Sequence, residues 1–98
     1  MTNIKLNYLY RDSGNYKQFG NVVLTNLNNL EIAHVEEVIR QNLIDQEFFS
    51  AEHWGLPTLY FPEFTTTDHE WHEFESVEVD DSYQIPTESI EAFLSRLT

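Results

Sequence analysis

The sequence predicts a single α+β domain with an N-terminal β-hairpin, an amphipathic helix, two or more further short strands and a C-terminal helix. Three observations carry this expectation. Apolar residues alternate in the opening segment, they recur at helical spacing between Ile32 and Leu43, and short extended runs separated by proline and polar turns follow. A chain of 98 residues fits one domain. At 11.6 kDa, area scaling gives about 5,800 Å² exposed when folded against about 16,800 Å² unfolded, enough burial for one core without metal or disulfide staples. Hydrophobic residues at 41% and aromatics at 14% argue against disorder, because disordered acidic chains are poor in aromatics.

Ile4, Leu6 and Tyr8 alternate with Lys5 and Asn7, which predicts a strand over about residues 3–10. Arg11-Asp12-Ser13-Gly14-Asn15 is turn chemistry, and Phe19 to Leu24 reads as a second strand returning antiparallel. Asn28 is placed to cap a helix with Glu31 three residues on. Ile32, Val35, Val38, Ile39 and Leu43 make the apolar stripe of that helix, and Glu36 and Arg40 form an i, i+4 pair on its outer side. Phe48-Phe49-Ser50-Ala51 reads as a third strand entered through an Asp45-Gln46 turn. Pro57 breaks regularity after Trp54-Gly55-Leu56, and Pro62 stops the run Leu59-Tyr60-Phe61. After a polar loop at 65–68, His69 to Val79 looks extended. Pro86-Thr87 opens a final helix with Ile90, Phe93, Leu94 and Leu97 on one side.

Charge is divided unevenly. Between Arg40 and Arg96 there is no lysine or arginine, while thirteen aspartates and glutamates fall in that stretch. Residues 1–30 carry Lys5, Arg11 and Lys17 against Asp12. Residues 31–98 carry two arginines against sixteen acids, giving the net −12. The C-terminal two-thirds therefore cannot present a phosphate-neutralising surface, which excludes nucleic acid as its partner. The opening MTNIKLNYLY has no charged region followed by a long apolar run, and no apolar stretch approaches the ~20 residues that span a bilayer. A cytoplasmic protein without membrane contact is expected. With no cysteine there is no disulfide framework or thiolate metal site.

The densest collection of reactive side chains is Asp68-His69-Glu70-Trp71-His72-Glu73-Phe74-Glu75. Imidazoles and carboxylates are zinc-ligand types, yet His69 and His72 are three apart, not at the i, i+4 spacing of the helical metalloprotease motif. On a strand that separation sends them to opposite faces. His72 beside Glu70 and Glu73 also resembles a carboxylate-oriented base. No cysteine, nucleophile elbow or phosphate-binding glycine loop accompanies it. The reading is of no metal and no cofactor, with a small enzyme or metal-dependent domain around His69 and His72 as the rival. The plainer reading of the segment is an edge or terminal strand whose charges discourage aggregation, with a bulge near Glu75 that would put Phe74 and Val77 on one face.

Trp54, Trp71 and the pairs Phe48-Phe49 and Tyr60-Phe61 exceed what a core needs at consecutive positions, so some aromatic surface is expected outside it. Trp54 and Trp71 are the candidate partner anchors; Glu73, Glu75, Glu78, Asp80 and Asp81 are the candidate source of a negative field. The expected partner is a basic protein, and a homodimer closed by the aromatic surface is the third option. The run Glu47 to Pro57 followed by Asp68 to Phe74 resembles a pattern found in small uncharacterised bacterial proteins; it covers under a quarter of the chain. In size, charge and α+β pattern the chain also resembles immunity proteins and antitoxins that neutralise basic toxins, without a shared motif. That likeness implies an acidic surface facing a basic target.

Overall fold

The first strand sits at the centre of the sheet, because its apolar alternation serves two neighbours at once. The computed structural model describes residues 3–11, 14–45, 47–60, 71–81 and 84–97. β1 (Asn3–Arg11) pairs antiparallel with β2 (Lys17–Thr25) on one side and with β4 (Trp71–Asp80) on the other. β3 (Phe48–Ser50) adds outside β4, and β5 (Glu88–Ser89) pairs parallel with the end of β2, giving the order β3-β4-β1-β2-β5. Two helices, α1 (Ile32–Gln41) and α2 (Ile90–Ser95), complete the α+β domain. The envelope measures 42 × 28 × 17 Å, a thickness that accommodates one sheet and one helical layer.

Even-numbered residues of β1 face the core. Ile4, Leu6 and Tyr8 cluster there with Val22, Leu24, Phe74 and Val77 from the adjacent strands. Val35 and Ile39 of α1 and Ile90 and Phe93 of α2 join the same cluster, so both helices lie on this face. The predicted stripe of α1 is the face that packs, with Ile32, Val38 and Leu43 partly buried against it. The odd residues Lys5, Asn7, Leu9 and Arg11 occupy the opposite face.

The bulge expected near Glu75 is present. Asn7 pairs with Ser76 and Tyr8 with Phe74, which leaves Glu75 as the extra residue and puts Phe74 and Val77 on the core side. β4 itself is not an edge strand. Its acids had argued for an edge, but Glu73, Glu78 and Asp80, on the face away from the helices, meet the cations of β1 and so are tolerated between two neighbours.

Both helices start later than predicted. α1 is capped by the backbone of Glu31 without a side-chain bond, and the amide of Asn28 donates to Glu91 at 3.1 Å. Asn26 closes the preceding turn by accepting from the Leu30 N–H at 2.9 Å and donating to its carbonyl at 3.0 Å, while Asn29 takes φ 51°. α2 begins at Ile90, capped by Ser89, whose hydroxyl accepts from Ala92 N–H at 3.1 Å. Pairing of Glu88 and Ser89 with β2 holds the residues before it extended. The predicted turn at Asp12-Ser13, the loop at 65–68 and His69 fall outside the described residues.

Candidate functional site

β4 and the residue after it carry most of the residues singled out from the sequence, and the register sorts them into three environments. His72 faces the core and is fully buried. Its ring lies 5.2 Å from Tyr10, 5.4 Å from Tyr60 and 6.0 Å from both Tyr8 and Phe49. The Leu59 N–H donates to Nε2 at 3.0 Å, so that nitrogen carries no proton and its lone pair is engaged. Beside it, the Tyr8 hydroxyl donates to the Pro57 carbonyl at 2.6 Å, and burial pushes its pKa up to about 12. These two bonds clamp the segment after Pro57 onto the sheet. In this arrangement Nε2 is neither a general base facing substrate nor a metal ligand.

Glu73 and Asp80 form the second environment. Both are buried on the face away from the helices, opposite cations of β1. Arg11 Nε lies 2.9 Å from Glu73, and Lys5 Nζ lies 3.9 Å from both Asp80 and Glu78. Cross-strand registers Lys5↔Glu78 and Leu9↔Glu73 produce these pairings. Burial and pairing remove Glu73 and Asp80 from the outward field expected of them.

The third environment is exposed. Glu75 on the bulge, Glu78 and Asp81 face solvent, and Trp71 is 42% exposed at the other end of the strand. A shallow depression near the Asp81 end is lined by Asn29, Glu31, Ile32 and Val79, with Val79 51% exposed. Sequence reasoning missed Glu31 and Val79 as part of this surface, since only the packing of α1 across β4 brings them together.

Trp54 is not an exposed anchor. It is 3% exposed, stacks on Phe49 with centroids 4.4 Å apart and meets the Phe93 ring edge-on at 5.9 Å. Its loop is held by Arg96, which donates to the Trp54 carbonyl at 3.0 Å and forms a two-pronged pair with Glu88. Gly55, at φ 71°, leaves room for that guanidinium, because a Cβ there would lie 2.9 Å from Arg96 Nε. The aromatic pair at 48–49 divides as a strand requires: Phe49 is buried and Phe48 half-buried.

Comparison with protein-family models, curated proteins and solved structures finds no significant match to this chain.

Proposed function

We propose that this domain is an acidic binding module for a basic protein partner, immunity-like or regulatory in type. The observation that supports the reading most directly is the separation of charge along β4. Glu73 and Asp80 are buried in ion pairs, while Glu75 and Asp81 are exposed, as is Glu78 although it too faces Lys5; Val79 is exposed on the sheet's other face. Glu31 extends this acidic border onto the start of α1. Trp71 lies ten residues before Asp81, about 34 Å away at strand rise, so a standard interface centred between them reaches both ends. Fixed negative charge around an apolar floor favours encounter with a cationic surface.

The test is association kinetics with proteins retained by the immobilised domain at low salt. The triple variant Glu75→Gln, Glu78→Gln, Asp81→Asn should slow association about tenfold at low salt and flatten its salt dependence, with dissociation little changed. Trp71→Ala should instead speed dissociation. Retained proteins of acidic character, or binding indifferent to both salt and the triple variant, would defeat the proposal.

A further inference from the structure

The residues from Pro57 to Tyr60 form a strap across the helix-facing side of the sheet, and its fastenings differ in kind. The Tyr8 hydroxyl donates to the Pro57 carbonyl at 2.6 Å, and the Leu59 N–H donates to His72 Nε2 at 3.0 Å. The Leu59 side chain rests on Gly20, where a Cβ would lie 2.8 Å from Cδ2. Tyr60 meets Tyr10 edge-on at 5.0 Å. Gly20 belongs to β2, Tyr8 and Tyr10 to β1 and His72 to β4, so the strap spans three strands. Beneath it Tyr10 and His72 are fully buried.

One of these fastenings depends on a bare nitrogen. Because Leu59 donates to Nε2, the neutral ring carries its proton on Nδ1. A second proton must therefore go to Nε2, where it would point at the Leu59 N–H. Two donors cannot face each other in a buried site, so the imidazolium forms only when the strap lifts. Among the described residues, the titratable groups facing the ring are the phenols of Tyr8 and Tyr10 from β1 and of Tyr60 from the strap, while Phe49 of β3 brings no charge. Lys5, Arg11 and Glu73 lie on the opposite face. Glu63, Asp68 and Glu70 fall outside the described residues. A carboxylate acting on the Nδ1 proton changes the pH of release and leaves the need for a bare Nε2 untouched.

We propose that His72 is a proton-operated latch, whose protonation releases the 57–60 strap and uncovers the aromatic floor beneath it. The sign follows from linkage. The closed form binds one proton fewer than the open form, in which an exposed histidine titrates near pH 6.5. Closure is therefore unaffected above about pH 6.5 and weakens about tenfold for each pH unit below it. The Tyr8 hydroxyl is the opposite case, since it must keep its proton to donate. The strap is thus fastened only between an acid limit and an alkaline one. Glu75 and Asp81 take no part in the latch, so it stands apart from the binding surface on β4.

Amide hydrogen exchange of the full chain from about pH 7.5 to 5.0 reads the latch directly. Protection of the Leu59 amide, relative to an unstructured amide at each pH, should fall about tenfold from pH 7.5 to 5.5. Protection along β1 should change by less than about twofold over the same range. The nitrogen resonances of the His72 ring should follow the Leu59 curve, with Nε2 unprotonated at its upper end. His34 and His53 are exposed with the strap closed, so their titration adds little. His72→Gln offers a carbonyl acceptor that gains no proton in this range, and Leu59 protection should then be independent of pH. His72→Phe keeps a ring without an acceptor and should leave Leu59 weakly protected at every pH. Leu59 protection that is flat with pH in the unaltered chain, that falls in step with β1, or that keeps its pH dependence in His72→Gln would overturn the proposal.

Discussion

The two flanks of this sheet are built alike and charged differently. On one side β3 covers only Trp71 to Glu73 of β4; on the other, β5 covers only Leu24 and Thr25 of β2. Each long strand thus runs past its outer neighbour. The β4 flank carries a bulge at Glu75 and further acids, devices that discourage another strand from adding. The β2 flank is unbulged, with a single lysine in its exposed stretch. Hydrogen-bonding capacity does not decide what each flank can meet. Side-chain charge and local regularity do.

That contrast requires the flanks to be surfaces on a body whose stability lies elsewhere, and the two tryptophans test this with the largest expected effect. Trp54→Ala removes a ring stacked in the core and should cost about 3–5 kcal/mol in denaturant unfolding. Trp71→Ala, at a position 42% exposed, should cost under about 1 kcal/mol. Equal losses would mean that the β4 flank is itself part of the core.

A smaller effect probes the centre between the flanks. The Tyr8 hydroxyl has its pKa raised from 10.0 to about 12. Its folded form keeps the proton while the unfolded chain begins to lose it. The stabilisation is therefore complete below pH 10 and is lost as pH rises through about 12, amounting to about 2–3 kcal/mol. Tyr8→Phe should flatten that alkaline limb while costing about 1–2 kcal/mol near neutrality through the bare Pro57 carbonyl. An unchanged alkaline limb would show that Tyr8 does not hold this segment down.

The smallest effects compare the flanks directly. Glu75→Gln relieves repulsion in a polyanion and should raise stability by a few tenths of a kcal/mol; Lys17→Gln should lower it by as much. The gap should close in about 0.5 M salt, where screening dominates. Changes of the same sign would contradict the division of charge between the flanks.

Much of the fold was legible in local pattern. The alternation in β1, the stripe of α1 and the bulge at Glu75 all follow from spacing within one segment. The helix starts were misplaced because long-range partners took the expected groups: Asn28 bonds Glu91, and residues 88–89 pair with β2. The site was legible in composition but not in geometry. Nothing within β4 announces that Arg11 and Lys5, some sixty or more residues earlier, will neutralise Glu73 and Asp80. The burial of Trp54 depends likewise on Phe49 and Phe93, which meet it only in the folded chain. The low acid content around β2 belongs to composition alone, whereas the place of β2 between β1 and β5 emerges only in the fold.

Placing β1 at the centre also sets a timetable for folding. Its pairing with β2 closes over a few residues, while its pairing with β4 joins residues 62 to 77 apart, from Tyr10↔His72 to Asn3↔Asp80. Closing so long a loop is entropically costly and places folding among the slower small domains. At about 5–20 residues per second, the ribosome delivers β4 roughly 3 to 14 s after β1. During that interval the hairpin has its central strand bare along the side that β4 will occupy. A growing chain in crowded translation is most exposed to mispairing then, and the acid-rich stretch still to come is what finally closes that side.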